Sequence, residues 1–138
     1  MRVTRTLLAI LALLALAAPA AAEEVTQTYP ASLDHVWTTT LKVLKQLDWD
    51  IDKEDRSIGW ITTDSRRVEG ENYAVYEKGT RHRLKIHLKA AGENRTRVSV
   101  ERSVFKRERI LFIDKDEPMT VKERDVEKAI LAAIGKSL

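Results

Sequence analysis

The sequence predicts an α+β fold in which an antiparallel sheet packs against a long C-terminal helix. Apolar residues recur at helical spacing between Leu33 and Leu47, and again between Val126 and Leu138. Between these two segments, apolar and charged residues alternate with the period of β-strands. The element order is therefore strand, helix, several antiparallel strands and helix. A helix laid across one face of a curved antiparallel sheet is the natural packing for that order.

Residues 1–22 are predicted to be a secretory signal peptide rather than part of the fold. MRVTR supplies positive charge, LLAILALLALAA is an apolar run, and the alanines at 20–22 provide a cleavage site. The run is short for a membrane span, and a retained N-terminal anchor is the alternative. Cleavage after Ala22 leaves residues 23–138 as a single α+β domain. We expect this domain in the bacterial periplasm, without a transmembrane span.

The composition argues against several classes of function. The chain has no cysteine, which rules out disulfides, a thiol nucleophile and a lipid-modified cysteine. Its formal net charge of +3 falls when Arg2 and Arg5 leave with the signal peptide, so charge does not favour a nucleic-acid partner. There is no glycine-rich phosphate loop, no G-x-S-x-G and no H-E-x-x-H. We therefore expect a protein without cofactors that is not an enzyme.

The first helix is predicted from its cap and its apolar stripe. EVTQTYP reads as an edge strand that ends at Pro30, and Ser32 is a good N-cap, followed by Asp34 at the positive end of the helix dipole. A helix of about sixteen residues should follow, buried on one side. Its stripe consists of Leu33, Val36, Trp37, Thr40, Leu41, Leu44 and Leu47.

A short hairpin is predicted in LDWDIDKEDRSIGWITT, residues 47–63. Ile51 should lie opposite Ile61, which also places Trp49 opposite Thr63 and Asp52 opposite Trp60. Aspartates alternate along the first strand, at Asp48, Asp50 and Asp52. They do not match a calcium loop of the EF-hand type, which needs glycine at its sixth position and glutamate at its twelfth. We interpret them as the solvated edge of a strand, and no metal site is expected.

A second hairpin is predicted from RHRLKIHLK and RTRVSVERSVF, joined by AAGEN. The predicted pairs are His87 with Arg97, Lys85 with Ser99, Arg83 with Glu101 and Arg81 with Ser103. RILFID could continue the sheet. Thr120 and Glu123 are predicted to form a capping box that opens the last helix. The predicted buried stripe of this helix is Val126, Ile130, Ala133, Ile134 and Leu138.

The candidate binding residues lie on the polar face of this sheet. Its basic members are Arg81, Arg83, Lys85, His87 and Arg97. They could dock an acidic partner or anionic headgroups, or they could form an ordinary solvated face. Trp60, next to a glycine, is the candidate apolar anchor, with Tyr73 and Tyr76 as companions. Alternatively, the segment YAVYEKG folds over Trp60 as a cover. His82, five residues before His87, should point to the opposite sheet face, so the two cannot share a metal.

Residues 29–63, YPASLDHVWTTTLKVLKQLDWDIDKEDRSIGWITT, resemble a domain of bacterial envelope lipoproteins. The shared pattern is Y-P, V-W, L-x-x-L, W-x-I, an acidic turn and G-x-I-x-T. It is similar to that of the lipoprotein C family of the outer-membrane β-barrel assembly machinery, and of related small envelope proteins of unknown function. The resemblance implies a helix-grip-like fold, in which the sheet wraps about a long C-terminal helix.

Two functions are compatible with these observations. The first is a non-enzymatic periplasmic interaction or scaffolding module, which could serve as an accessory to outer-membrane or envelope protein assembly. Its partners would be envelope proteins or anionic envelope components. The second is a carrier that holds a small apolar ligand, such as a lipid, between sheet and helix. The dense predicted core of medium-sized side chains argues mildly against the carrier.

Overall fold

The computed structural model describes residues 23–138, so the predicted signal peptide lies outside the described residues. The described chain forms one antiparallel sheet and two helices. In chain order the elements are β1 (Glu24–Tyr29), α1 (Leu33–Gln46), β2 (Ile51–Asp55), β3 (Trp60–Thr63), β4 (Arg66–Asn72), β5 (Tyr76–Ala90), β6 (Thr96–Ile110), β7 (Ile113–Met119) and α2 (Asp125–Ser137).

Two long strands organise the sheet. β5 and β6 have 15 residues each and pair along their whole length. The order across the sheet is β1-β6-β5-β3-β2, while β4 pairs with β5 beyond β3 and β7 pairs with β6 beyond β1. We call the half with β1, β2 and β3 the body, and the half with β4 and β7 the arm.

The prediction of a long C-terminal helix across the sheet is wrong, and with it the helix-grip-like fold class. The seven strands hold 51% of the described residues, and α2 has only 13 residues. The predicted capping box does not form, because the Glu123 carboxylate binds Arg102 and accepts the Asp125 N–H at 3.0 Å. The residues before Asp125 therefore remain outside the helix. The strands instead extend past the part of the sheet that the two helices cover.

Both helices pack on one face of the body. α1 begins as predicted, with the Ser32 hydroxyl accepting the His35 N–H at 3.2 Å, and it runs for 14 residues. Leu84, Ile86 and Leu88 of β5 face the helices. The core is one continuous cluster made of Tyr29, Val36, Trp37, Val43, Leu44, Trp49, Ile61, Leu84, Ile86, Leu88, Val98, Val100, Ile130, Leu131 and Ile134. The two helices and the sheet thus share one hydrophobic core.

The register predicted for the first hairpin is wrong. Ile51 lies opposite Thr63 rather than Ile61, and Asp55 rather than Asp52 lies opposite Trp60. A bulge between Ile51 and Lys53 shifts the register. The bulge adds a residue to β2. Asp48 and Asp50 precede this strand, so only Asp52 of the three alternating aspartates lies in it.

The register predicted for the second hairpin is wrong by two residues. His87 lies opposite Ser99, Lys85 opposite Glu101, Arg83 opposite Ser103 and Arg81 opposite Phe105, while Lys89 lies opposite Arg97. The cause is the loop, since Ala90 still pairs with Thr96 and the Ala91 N–H donates to the Arg95 carbonyl at 2.9 Å. Because a shift of two preserves alternation, each side chain keeps its predicted face.

Candidate functional site

The outer face of the body is the side of the sheet away from both helices, and no element of residues 23–138 covers it. Trp60 is half-buried at the start of β3, next to the edge strand β2, and lies directly opposite His87. The two rings are stacked, with centroids 4.4 Å apart and an interplanar angle of 18°. The Lys85 ammonium lies 4.4 Å from the centroid of the Trp60 indole. The indole is therefore held by an imidazole and a cation before any partner arrives.

A cavity of about 740 Å³ lies beside Trp60. β2 lines its other side with carboxylates. One of them, Asp55, accepts a hydrogen bond from the Ser57 hydroxyl, which holds the pKa of Asp55 below its usual value. The lining residues are Asp52, Lys53, Glu54, Asp55, Ile58, Trp60, Thr62 and Lys85. The cavity is thus acidic along β2 and basic and aromatic along β3 and β5.

The remaining cations of the outer face are exposed. Arg97 lies opposite both Lys89 and Thr28, so the end of the body nearest the β5–β6 loop carries two adjacent positive charges. Arg83 lies opposite Ser103, with its guanidinium 4.7 Å from the centroid of the Phe105 ring. Glu101, opposite Lys85, is the acidic residue of β6 within this group. The part of the face formed by β5 and β6 therefore has more cations than carboxylates, whereas β2 contributes carboxylates.

Arg81 differs from the other candidate cations because its guanidinium is already bound. It donates to the Glu77 carboxylate at 2.7 Å, to the Ser65 hydroxyl at 2.9 Å and to the Ser65 carbonyl at 2.8 Å. Glu77 is 1% exposed and also lies 3.5 Å from Arg109. Arg81 therefore holds the arm together and has little capacity left for a partner.

Tyr73 and Tyr76 do not accompany Trp60. Tyr76 begins β5 and pairs with Ile110 at the far end of the arm, eleven positions before His87, roughly 36 Å along an extended strand. The segment around these tyrosines therefore cannot cover Trp60. The structure brings together five of the eight candidate residues on one face: Trp60, Arg83, Lys85, His87 and Arg97.

The inner face contains a group that the sequence did not reveal. His82 is buried, with its ring centroid 4.8 Å from that of Trp49, and its Nε2 accepts from the Arg66 Nε at 3.3 Å. The Arg66 guanidinium lies 3.7 Å from the Trp49 ring centroid. His82 and His87 do point to opposite faces. Among residues 23–138, no three histidine or carboxylate side chains are placed to hold a metal ion.

The end of the arm is a second unexpected feature. Ile110, Leu111, Phe112 and Ile113 are all exposed where β6 turns into β7. The only sequence signal is the run of four apolar residues between Arg109 and Asp114. The sequence predicts that this run continues a strand, whereas in the structure the chain reverses within it.

Within residues 23–138, no helix combines the length and apolar character needed to cross a membrane. The chain matches no protein-family model, and no curated protein is similar to it in sequence.

Proposed function

We propose that this protein is a non-enzymatic interaction module that binds an acidic protein partner of the bacterial envelope through the outer face of the body. The observation that carries the proposal is the Trp60 indole, which contacts both His87 and Lys85 on an uncovered surface. Tryptophan is enriched among the residues that dominate binding energies. An anchor that is already fixed in place loses little conformational entropy when it binds.

The cations that β5 and β6 contribute to the outer face favour an acidic partner. Arg83, Lys89 and Arg97 are exposed on the same face. Such a patch speeds association with a negatively charged surface and disfavours basic partners. Placement in the envelope rests on the predicted signal peptide, and an assembly role rests on the resemblance described above.

The surroundings of His87 support a binding role rather than catalysis. His87 stacks on an indole, whereas general-base chemistry needs an imidazole within hydrogen-bond reach of a nucleophile. Carriage of an apolar ligand has less support. The side chains between sheet and helices form a continuous buried cluster, and a close-packed interior leaves little volume for a ligand.

Site-specific photo-cross-linking in intact cells tests the proposal. A photoreactive residue at Thr62, beside Trp60 on the outer face, should give discrete adducts, whereas one at the exposed Lys42 on α1 should not. The double variant Arg83→Glu/Arg97→Glu should reduce the Thr62 adducts by about tenfold. It places new carboxylates opposite Ser103 and Lys89, so no like-charge pair forms across the strands and Tm should stay unchanged.

Lys42→Glu/Lys128→Glu provides the matched control, since it makes the same charge change at exposed positions on the two helices. Adducts should persist in this control. Equal adducts from Thr62 and Lys42, or Thr62 adducts that survive reversal of Arg83 and Arg97, would contradict the proposal.

A further inference from the structure

The end of the arm presents an apolar surface that no element of residues 23–138 covers. We call Ile110, Leu111, Phe112 and Ile113 the apolar tip. Their exposed fractions are 50%, 77%, 73% and 74%. Three neighbours from the β4–β5 turn enlarge the surface: Tyr73, Val75 and Tyr76, at 65%, 42% and 44%. Large apolar side chains clustered at such exposure usually mark an interaction site.

The backbone of the tip is unfavourable for the side chains that occupy it. Leu111 and Phe112 form a two-residue turn with φ of 50° and 65°. Positive φ at both positions is typical of a type I′ turn, for which Asn-Gly is strongly preferred. Bulky apolar residues rarely adopt this conformation. Turn formation therefore does not explain why they are here.

The tip is also preformed. The Phe112 N–H donates to the Val75 carbonyl at 3.3 Å, which ties the β6–β7 turn to the β4–β5 turn. The Tyr73 N–H donates to the Tyr76 carbonyl at 2.7 Å and closes the second turn. The two hairpin ends therefore form one surface on which the apolar side chains are already exposed.

The charges directly behind the tip neutralise one another. Arg109 donates to both carboxylate oxygens of Asp114, at 2.5 and 3.1 Å. Arg107 makes the same bidentate pair with Asp116, at 2.8 and 3.0 Å. These two ion pairs neutralise four charges next to the tip, which lowers the cost of bringing the arm close to an apolar phase.

We propose that the apolar tip inserts into the interfacial region of a lipid bilayer. With its three neighbours Tyr73, Val75 and Tyr76, the tip has seven residues, whereas a stable protein interface takes about 20 to 30 residues a side. A bilayer can accept a small protruding apolar group without a matching pocket. Tyrosine rings fit this setting, since their apolar body and polar hydroxyl favour the membrane–water interface.

The balanced charges determine the kind of membrane contact. Because the ion pairs leave no excess positive charge behind the tip, insertion should depend on apolar contact and not on anionic headgroups. The inference uses residues other than the outer face of the body, so it stands or fails independently of the proposed function. Insertion would hold the arm at the bilayer and leave Trp60 roughly 36 Å away along β5, free for a protein partner.

Vesicle flotation with purified residues 23–138 tests the inference. We expect binding to vesicles of phosphatidylcholine alone, similar binding when phosphatidylglycerol is added, and little change in high salt. Leu111→Asn/Phe112→Gly should reduce the bound fraction at least tenfold. This variant installs the residue pair that the turn prefers, so its Tm should be equal or higher and loss of folding cannot explain the loss of binding.

Val68→Ser is the matched control because Val68 is 54% exposed on β4 and lies outside the tip; its binding should be unchanged. The chain has no cysteine, so an environment-sensitive dye on Leu111→Cys reports the tip alone and should shift to the blue with neutral vesicles.

Four results would overturn the inference: no binding to neutral vesicles, binding that requires anionic lipid and disappears in salt, equal binding by the Leu111→Asn/Phe112→Gly variant, or no dye shift. Self-association that this variant abolishes, without vesicle binding, would identify a second copy of the chain as the occupant instead.

Discussion

Arg102 donates a hydrogen bond of 2.7 Å from its Nε to the carboxylate of Glu127, and both side chains are buried between β6 and α2. The other end of the guanidinium contacts Glu123, donating to its carbonyl at 3.2 Å and pairing with its carboxylate. The N-cap position of α2 is Arg124, whose side chain makes no capping bond to this helix within residues 23–138. The Arg102 pair therefore joins the start of α2 to the sheet.

Removing one member of this pair should be strongly destabilising. Glu127→Ala leaves a buried guanidinium without its main partner, which costs about 3–5 kcal/mol of unfolding free energy. Arg102→Met/Glu127→Leu removes both charges and should recover most of that loss. Urea unfolding measures both effects. Glu123→Ala is the control, since Glu123 is half-exposed and should cost about 1 kcal/mol or less. A double variant no more stable than Glu127→Ala would contradict this account.

The same pair explains why the start and the buried face of α2 were not predicted correctly from the sequence. Its helical stripe was identified from apolar residues, but the position buried alongside Ile130 and Ile134 is Glu127. Periodicity cannot show that a charged residue is buried when its partner, Arg102, comes from a distant strand. The predicted use of Glu123 as a cap failed for the same reason, because Arg102 binds its carboxylate. By contrast, the cap of α1 at Ser32 depends on local residues and was confirmed.

The candidate site was predictable to the extent that it depends on the alternation of side chains between the two faces of a strand. Trp60, Lys85 and His87 share a face because strand side chains alternate, and this survived a register error of two residues. The separation of Tyr76 from Trp60 depends on the length of β5. β5 is long because it continues past the body to pair with β4 and β6. These pairings join residues that are far apart in the sequence, so a local pattern does not predict them. The reversal at Leu111 was hidden because its residues are atypical of the turn they form.

Glycines 59 and 92 should respond very differently to alanine. Both have positive φ, +72° and +124°, so each substitution carries a backbone cost of about 1–3 kcal/mol. At Gly59 the new Cβ would also lie 2.1 Å from the Leu88 carbonyl oxygen, whereas at Gly92 no described atom lies within 4 Å. Gly59→Ala should therefore cost about 2 kcal/mol more than Gly92→Ala in urea unfolding. Equal losses would mean that β3 and β5 separate at Gly59 without cost.

Glu77 should control the stability of the arm. Its carboxylate is buried between Arg81, at 2.7 Å, and Arg109, at 3.5 Å. Glu77→Ala should cost about 2–3 kcal/mol, because both guanidinium groups lose a buried anion. Hydrogen exchange should accelerate mainly in β4 and the first half of β5. Glu108→Ala, at an exposed position of the same arm, should leave exchange unchanged. Acceleration spread evenly over the body would show that the arm is not a separate unit of stability.

His82 should make folding stability depend on pH between about 4 and 6.5. Burial is the main cause that lowers the pKa of His82 from 6.5 to about 4, with further lowering by Arg66 and Arg102 and an opposing effect of Glu123. Between these two values the unfolded chain binds a proton at this histidine and the folded chain does not. The stability contribution is therefore complete above pH 6.5 and is lost progressively as the pH falls toward 4.

Between pH 7.5 and pH 5 the free energy of unfolding should fall by about 2 kcal/mol because of His82. The carboxylates of Asp114, Asp116 and Glu123 have lowered pKa values, so their effects come at lower pH. His82→Gln keeps an acceptor for Arg66 but cannot take up a proton, and urea unfolding of this variant should be nearly flat over the same range. His35→Gln, at an exposed position on α1, should keep the slope of the unsubstituted protein. A slope that survives in His82→Gln would assign the pH dependence to another group.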